Sequence, residues 1–316
     1  MAITLADARN LSQSKLTHYV IDEFRKSALL DMLTFDNTVK PQSGKTMAYV
    51  YNRVTTLPTA AGRELNTEYA PDDAKTEQQV VNLKPFGGSF SIDRVIQENE
   101  TEVVDYVDFQ MKQKTQATIA LFHDWFINGD SAVDRKAFDG LSKAITGSST
   151  EITPDGIIDL SSAEAIEANW KKFIYSFRAL RGAMDGAPSV YLMSSSMFSA
   201  FQTVLDYAGQ NTTKKAEYGD ECLQWGPSLL MAMGDKPGTS DPIIGSDGDD
   251  GTTSIYGARL ALDGVHAVSP EGSKLVKTYL PDFTRPGAVK VGEVEMIAAM
   301  AVKTTRAASA LRGIKI

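Results

Sequence analysis

The sequence predicts an α+β fold in which a long β-hairpin arm precedes a mixed body. Two strand-like segments, residues 46–54 and 90–96, are separated by a polar stretch that contains prolines and has no apolar period. Residues 100–128 contain no Gly or Pro and consist largely of helix-forming residues. The last segment, residues 289–316, is rich in β-forming residues. An arm, a long helix, an α/β middle and a closing strand therefore follow one another along the chain.

The N-terminal segment predicts an amphipathic helix over residues 12–33. Leu16, Val20 and Phe24 recur at helical spacing, with charged residues on the opposite side. The hairpin of residues 44–97 comes next, and a two-stranded hairpin is only marginally stable in water. We therefore expect this hairpin to lie on another molecule, and a second copy of the chain would make the protein a building block.

Two long helices are predicted after the hairpin. The first, over residues 100–128, is a spine of about 40 Å at 1.5 Å per residue, and Gly129 ends it. The second is expected to begin at a capping box of Ser161 and Glu164, because a Ser hydroxyl and a Glu three residues later can satisfy each other's amides. Gly186 is expected to close this second helix.

The middle of the chain predicts alternating strands and a helix. A buried strand at residues 189–193 leads into a helix from Ser195, and residues 245–251 form an acidic, glycine-rich loop. Residues 289–316 are predicted to form one long closing strand. Further short strands are predicted at residues 229–233, 254–256 and 264–268.

Composition limits the classes of function. The chain has 316 residues, with 32 basic and 40 acidic side chains and a net charge of −8, which argues against a general nucleic-acid binder. The single cysteine, Cys222, excludes an intramolecular disulfide framework and fits a reducing compartment. The first residues lack the basic and apolar regions of a signal peptide, and no apolar run is long enough to span a bilayer. We expect a soluble, cytosolic, globular chain.

Two loops resemble ligand-binding motifs without satisfying them. Gly44, Lys45 and Thr46 end like a phosphate-binding loop, but Val39 stands where that motif needs a glycine and a strand follows instead of a helix. A turn that enters the hairpin explains them better. The acidic loop could attract Ca²⁺, yet it has neither the ligand spacing nor the closing Glu of a calcium loop, so a solvated loop is favoured. Its members are Asp247, Asp249, Asp250 and Gly251.

The remaining candidate side chains do not form a catalytic pattern. The three histidines, His18, His123 and His266, lie on different predicted elements without a metal-ligand spacing. Ser194, Ser195 and Ser196 lack the glycines of a nucleophile elbow and are expected to cap a helix; Cys222 has no partner motif. The stripe of Trp170, Phe173 and Phe177 has helical spacing and predicts core packing. We therefore predict no catalytic, cofactor-binding or metal-binding residue.

The order of these elements resembles the major capsid protein family of tailed bacteriophages. Phe138-Asp139-Gly140-Leu141 follows the spine where that family often has a Phe-x-Gly-Leu stretch. Residues 189–194, followed by a helix, are similar to its central strand–helix unit, and residues 295–314 to its closing strand. The resemblance covers nearly the whole chain, and the same fold is shared with encapsulins.

The resemblance implies a division of the chain into four parts. Residues 1–40 would form an N-terminal arm, and residues 41–97 an extended hairpin loop (E-loop) that lies across a neighbouring subunit. The remaining parts would be a peripheral domain, with the spine helix and long strands, and a central axial α/β domain that gathers at five-fold and six-fold positions. The peripheral domain would comprise residues 98–150 and 277–304, and the axial domain residues 151–276 and 305–316.

The resemblance implies a structural protein that assembles into pentamers, hexamers and an icosahedral shell around double-stranded DNA. The shell would be the virion capsid. It would assemble in the host bacterial cytoplasm, and no membrane would be among its partners. Expected partners are other copies, a portal, a separate scaffolding protein, in some shells a decoration protein, and DNA through weak, non-specific contact. Four basic residues near the C-terminus could face DNA or form intersubunit ion pairs: Lys303, Arg306, Arg312 and Lys315.

Some members of the family carry Lys–Asn cross-links. Lys75 and Lys84 on the arm and Asn211 in the middle domain match no cross-linking motif, so we predict none.

Two alternatives to the capsid interpretation remain open. An encapsulin-type compartment would keep the fold but enclose a cargo enzyme instead of DNA. A cytosolic enzyme that uses the α/β middle would be a different class of protein. The genomic neighbours and the nucleic-acid content of the shells distinguish an encapsulin from a phage capsid. A stable monomer with a ligand in one deep pocket would support the enzyme.

Overall fold

A computed structural model describes residues 29–38, 47–95, 106–209, 213–215, 221–246, 251–270 and 276–316. The helices are α1 (Leu29–Met32), α2 (Tyr106–Asn128), α3 (Leu141–Ile145), α4 (Ala163–Gly182) and α5 (Ser195–Ala208), with a 3₁₀ turn at Thr305–Ala307. The strands are β1 (Phe35–Asn37), β2 (Ala48–Thr56), β3 (Lys75–Asn82), β4 (Lys84–Asp93), β5 (Glu151–Ile152), β6 (Ile158–Asp159), β7 (Val190–Met193), β8 (Thr213–Lys215), β9 (Glu221–Trp225), β10 (Ser228–Ala232), β11 (Thr252–Ala258), β12 (Val265–Ser269), β13 (Lys277–Tyr279), β14 (Val289–Val302) and β15 (Ala308–Lys315). The fold is α+β, as the sequence predicts.

The first sheet is built around the long strand β14. Strand β4 pairs antiparallel with it over ten residue pairs, from Val289 opposite Asp93 to Ala298 opposite Lys84. Strands β13 and β12 also pair with β14, and β1 adds to β12 in parallel. The start of α2 packs on this sheet through Val107. The long helix therefore packs against the sheet that contains the long strand β14.

The second sheet has eight strands in the order β5-β15-β11-β7-β10-β9-β8, with β6 also on β15. Helices α4 and α5 cover one of its faces through Phe177 and Phe201, whose rings lie 4.8 Å apart. Tyr191 of β7 joins this cluster, while Val190 and Leu192 point to the core shared with the first sheet and α2. All four residues of β7 are buried, so this strand separates two apolar cores.

The segment after α2 shows why Phe138, Gly140 and Leu141 occur together. Phe138 and Leu141 are buried beside α2 and α3. A Cβ on Gly140 would lie 2.5 Å from the main-chain oxygen of Trp125, closer than any real contact of that kind. Glycine therefore allows this chain segment to reach the C-terminal end of the spine helix.

The hairpin prediction is wrong in its second strand. The partner of β2 is β3, residues 75–82, and the predicted return strand near Phe90 belongs to β4 in the first sheet. The sequence of β3 is polar, and six of its eight residues are exposed, so it lacks the apolar alternation by which a half-buried strand is recognised.

The closing strand is also not continuous. Strand β14 ends at Val302 in the first sheet, and β15 begins at Ala308 in the second. The turn Thr305–Ala307 between them contains neither Gly nor Pro, so local sequence does not reveal the break. One β-type segment therefore serves two sheets.

Two boundaries of α4 differ by a few residues from prediction. The cap is Ser162, whose Oγ accepts a hydrogen bond from the Ala165 amide at 3.2 Å, whereas the hydroxyl of Ser161 donates to Asp159 at 2.6 Å. The helix ends at Gly182 and not at Gly186 as predicted. Gly186 lies in the turn after the helix and has a positive φ of 91°. Most of the predicted N-terminal helix, residues 12–28, lies outside the described residues, as do residues 100–105 of the spine and 247–250 of the acidic loop.

Candidate assembly surface

The hairpin of β2 and β3 is an arm that extends beyond the body. Its strands pair in antiparallel register from Ala48 opposite Asn82 to Thr56 opposite Lys75. Every residue from 54 to 78 is exposed. We call residues 57–74, which connect the two strands, the arm tip. Tyr49, Tyr51 and Val81 at the base of the arm pack against a core of the body, and the rest of the arm projects from its own chain.

Three side chains of β2 attach the arm to the body, and we call Tyr49, Tyr51 and Arg53 the arm root. The Tyr51 hydroxyl donates to the main-chain oxygen of Val302 at 2.7 Å. Arg53 donates to the same oxygen from Nη2 at 2.5 Å and to the oxygen of Lys303 from Nε at 3.1 Å. These bonds use carbonyl groups at the end of β14, so the arm leaves the body at a fixed place.

Tyr49 of the arm root contacts a small charged cluster that consists of Asp36 and Lys303. Its hydroxyl donates to Oδ2 of Asp36 at 2.6 Å, and the Lys303 ammonium lies 5.6 Å from its ring centroid. Burial and the bond to Asp36 raise the pKa of Tyr49 well above its usual value. Burial acts to raise the pKa of Asp36, but hydrogen bonds from Tyr49 and the Asn37 amide outweigh it and leave that pKa lowered. Asp36 is therefore a carboxylate and Tyr49 a neutral phenol at neutral pH.

His266 lies beneath the same cluster, with its ring edge-on to Tyr49 at 5.6 Å between centroids. The residue is fully buried in β12. Burial, and then the positive charge of Lys303, lower the pKa of His266 to about 4. The imidazole is therefore neutral at pH 7, and it packs as a core side chain.

The outward face of the arm carries apolar side chains without cover. Val50, Val54 and Val80 are each about half exposed. At the tip, Leu65 is 91% exposed and Tyr69 is 64% exposed. Large apolar side chains grouped on a projecting element are typical of a surface that another molecule covers. The arm therefore has the character of an interface.

The arm tip is shaped by its own hydrogen bonds. Thr59 donates to Oδ2 of Asp72 from its amide at 2.7 Å and from its hydroxyl at 2.6 Å, and these bonds lower the pKa of Asp72. Arg63 donates to the main-chain oxygen of Thr67 at 3.2 Å, and its guanidinium lies 5.4 Å from the Tyr69 ring centroid. A tip that is already shaped loses less conformational entropy on docking.

The solved structures that match this chain include the holo-SrpI encapsulin complex of Synechococcus elongatus PCC 7942, with a TM-score of 0.68 and 14% identity over 100% of this chain and 97% of that one. A chain of Mycobacterium phage Bobi matches with a TM-score of 0.61 and 11% identity over 100% of both chains. The capsid of Myoviridae phage XM1 matches with a TM-score of 0.57 and 11% identity over 99% of both chains. This chain has the capsid fold of tailed phages and encapsulins. No protein-family model and no curated protein sequence matches it.

Within this capsid fold, the basic residues of the C-terminal segment have different environments. Lys303 lies at the arm root, 4.0 Å from Asp36, and Arg306 is exposed on the 3₁₀ turn. Arg312 is half-buried and forms an ion pair with Glu151 at 2.5 Å between Nε and Oε1. Lys315 is exposed at the last position of β15, so the four residues have different environments.

The side chains considered for cross-linking also differ in environment. Lys75 lies at the start of β3, and Lys84 donates to the main-chain oxygen of Arg135 at 2.7 Å. Asn211 lies outside the described residues. The absence of a cross-link stays a prediction.

The other sequence candidates are dispersed in the described structure. Ser194 caps α5, as expected, by accepting a hydrogen bond from the Met197 amide at 3.1 Å. His123 is buried in α2, and Phe173 and Phe177 are core residues of α4. His18, Lys45 and the side chain of Cys222 lie outside the described residues. Among the residues described, no group of His, Cys, Asp or Glu side chains is arranged to hold a metal ion.

A cavity of about 210 Å³ lies between α1, α2 and residues 234–243. Leu30, Ile119 and Ile243 contribute apolar walls, and His123 and Asp235 are its buried polar residues. Burial lowers the pKa of His123 to about 4, so its ring is neutral. In the described part of the chain, no Ser, Thr, Cys or Lys lines this cavity. Among the described residues, the nucleophile types in its lining are therefore limited to the carboxylates of Asp31 and Asp235 and the imidazole of His123.

The sequence contains a signal for the arm root. Tyr49, Tyr51 and Arg53 alternate with Val50 and Asn52, a period of two that gives the strand an inner and an outer face.

No described helix is long and apolar enough to cross a membrane.

Proposed function

We propose that this chain is the major capsid protein of a tailed bacteriophage and that its copies assemble into an icosahedral shell around double-stranded DNA. The observation that carries the proposal is the arm, which is hydrogen-bonded to the body at its root but exposed from residue 54 to residue 78. A strand pair with uncovered apolar side chains gains its main stabilisation when a neighbour covers it. The fold shared with solved phage capsids supports the same function.

In this shell the four parts of the chain have separate tasks. Residues 1–40 form the N-terminal arm and residues 41–97 include the arm that lies on a neighbour. The peripheral domain, with α2 and β14, forms the continuous wall, and the axial domain, with α4 and α5, gathers into pentamers and hexamers. The protein acts as a structural component of the virion and not as an enzyme. Assembly in the host cytoplasm involves a portal, a separate scaffolding protein and, in some shells, a decoration protein.

The same fold supports a second candidate, an encapsulin-type shell around a cargo enzyme, because one of the matched structures is a holo-encapsulin complex. The two candidates predict different contents and different neighbouring genes. A capsid protein would be encoded beside portal, terminase and tail genes, and an encapsulin beside the gene of its cargo.

Expression of the chain, with any scaffolding protein encoded beside it, followed by electron microscopy tests the proposal. We expect closed shells, tubes or capsomer rings. Uniform particles of monomer size under all assembly conditions would contradict both shell functions. Shells from infected or induced cells that contain a co-purifying enzyme and no DNA would contradict the phage function and support the encapsulin one.

A further inference from the structure

The exposed side of α4 is an unusual surface for this acidic protein. Phe173, Phe177 and Leu180 bury one side of the helix in the second core. The opposite side is exposed and carries four basic residues and one tyrosine. We call this surface the α4 face, and it consists of Lys171, Lys172, Tyr175, Arg178 and Arg181. The acidic residues of the helix, Glu164 and Glu167, lie only in its first two turns.

The cations of the α4 face form no ion pair within the described chain. Lys171 lies 5.5 Å from the ring centroid of its neighbour Trp170, and Arg181 lies 5.8 Å from that of Trp225. Lys172 donates to the main-chain oxygen of Asp155 at 2.7 Å. The helix dipole favours a basic residue in the last turn and would explain Arg181, but Lys171 and Lys172 lie in the middle of the helix. Nor does the dipole explain the tyrosine among them.

Tyr175 is the feature that indicates a partner. Its side chain is 77% exposed. On a helix its neighbours along the surface are the residues three and four positions away, which here are Lys171, Lys172 and Arg178. An exposed aromatic ring surrounded by cations fits a partner that offers carboxylates around an apolar centre.

The arm tip offers that combination. Its residues 57–74 contain four carboxylates and only one basic residue, Arg63, which is bonded within the tip. Asp72 is used internally by Thr59, but Glu64, Glu68 and Asp73 form no ion pair with a described cation. The exposed apolar side chains Leu65 and Tyr69 lie next in sequence to Glu64 and Glu68.

We propose that the arm tip of one copy docks on the α4 face of a second copy. The contact cannot be made within one chain as it stands, because Leu65 is 91% exposed and Tyr175 is 77% exposed in the same structure. The proposal rests on the proposed function of the arm as an intersubunit element, and it names the surface that receives the tip. The carboxylates set the position and orientation of the tip, and Leu65, Tyr69 and Tyr175 exclude water at the centre.

Duplex DNA is the other macromolecule that would attract the same cations. Its phosphates fit the charge of the α4 face, but a duplex stacks its bases inside and offers Tyr175 only small apolar groups such as thymine methyls. The arm tip matches both the charge and the apolar centre. The observations therefore favour the arm tip, and DNA becomes an outcome of the test.

Charge reversal on each side tests the docking. One variant carries Lys171→Glu with Arg178→Glu, a second carries Glu64→Lys with Glu68→Lys, and a third carries all four changes. We expect each double variant to raise the protein concentration needed for assembly at least tenfold, since like charges then face each other. The third variant should recover most of this loss. Arg135→Glu with Lys136→Glu, exposed elsewhere, makes the same charge change as the first variant and should assemble like the wild type.

The readouts are shell yield by sedimentation, thermal unfolding of the unassembled chain, and nucleic-acid content of the shells. Unchanged assembly by the arm-tip variant, when a chain without residues 57–74 fails to assemble, would overturn the docking but leave the proposed function intact. Loss of nucleic acid from the first variant with normal assembly would assign the α4 face to DNA instead. A wild type that never assembles would overturn both proposals.

Discussion

Tyr51 and Val302, 251 positions apart in the sequence, are joined by a hydrogen bond of 2.7 Å from the phenol to the main-chain oxygen. Val302 is the last residue of β14, the strand that braces the first sheet. The bond therefore connects the exposed arm to the most extended element of the body. Arg53 donates to the same oxygen, so two side chains of one strand face fix the direction of the arm.

Loss of the arm root should weaken assembly more than it weakens the fold. Tyr51→Phe combined with Arg53→Gln removes the bonds to Val302 and Lys303. A half-exposed hydrogen bond contributes about 1 kcal/mol, so the free energy of unfolding should fall by roughly 1–2 kcal/mol. The protein concentration needed for assembly should rise clearly, because these bonds no longer fix the direction in which the arm leaves the body. Sedimentation and urea unfolding measure the two effects.

Asn52→Ala is the matched control for the arm root, since Asn52 is exposed on the other face of the same strand. It should change neither stability nor assembly by a comparable amount. Equal effects from the control and the root variant would mean that β2 acts only through its backbone.

The ion pair of Arg312 and Glu151 should stabilise the body. The guanidinium also donates to the hydroxyls of Ser142 at 3.2 Å and Thr146 at 3.1 Å, so it ties β15 to α3 and β5. Arg312→Met should lower the free energy of unfolding by about 1.5–3 kcal/mol, the usual range for hydrogen bonds to charged groups.

Arg306→Met, on the exposed 3₁₀ turn, should cost less than about 0.5 kcal/mol and serves as the control for Arg312. Both are measured by denaturant unfolding of the unassembled chain. Similar costs for the two variants would refute a role for the ion pair.

Acid should destabilise the protein through its buried histidines. Burial lowers the pKa of His123 and of His266 from 6.5 to about 4. Between these values the unfolded chain binds protons that the folded chain does not, so stability is fully present above pH 6.5 and falls as the pH drops towards 4. A shift of this size corresponds to at most roughly 3 kcal/mol for each group.

Replacing His123 and His266 with Gln removes their titration. Unfolding free energies at pH 7 and pH 4.5 should then differ less than in the wild type, even if both values are lower. An unchanged difference would contradict the assignment of the acid sensitivity to these two histidines. Burial acts to raise the pKa of Glu151, but the Gly147 amide and Arg312 outweigh it and lower that pKa, so its contribution is lost only below its unfolded value of 4.5.

Gly140 should be intolerant of a side chain. A Cβ there would meet main-chain atoms of Trp125 at 2.5 Å and of Gly129 at 2.8 Å, and neither can move without disturbing the end of α2. Gly140→Ala should therefore destabilise the fold by more than about 2 kcal/mol or prevent folding. Gly182→Ala is the control, since nothing lies within 4 Å and α4 should gain up to about 1 kcal/mol. Thermal unfolding compares them, and equal stability of both variants would contradict the packing described.

The sequence predicted the elements that bury one face and missed those that do not. Phe173, Phe177 and Leu180 gave the period of α4, and the apolar run of β7 indicated a buried strand. Strand β3 was not predicted, because most of its side chains are exposed on the arm and show no apolar alternation. The division of the closing segment at Thr305 depends on which sheet each half joins, and that is decided by distant strands.

The candidate interface was predictable in outline only. A long polar hairpin was sufficient to indicate an arm that needs a partner. The period of two in the sequence indicates the inner face of the root, but its bonding partners could not be predicted, because Tyr51 and Arg53 bond to main-chain atoms about 250 residues away. The α4 face required the exposed fraction of Tyr175, since periodicity alone shows that a residue lies opposite the core but not that other elements leave it uncovered.

The most direct test of the account shortens the arm. A chain in which an Asn-Gly turn replaces residues 57–74 joins Thr56 to Lys75 and keeps the β2–β3 pairing. Sedimentation velocity, under conditions in which the wild type forms shells, should find a folded chain whose unfolding free energy is unchanged within about 1 kcal/mol and whose assembly is lost. Shells formed at the wild-type concentration and yield would contradict the claim that the arm holds neighbouring copies together.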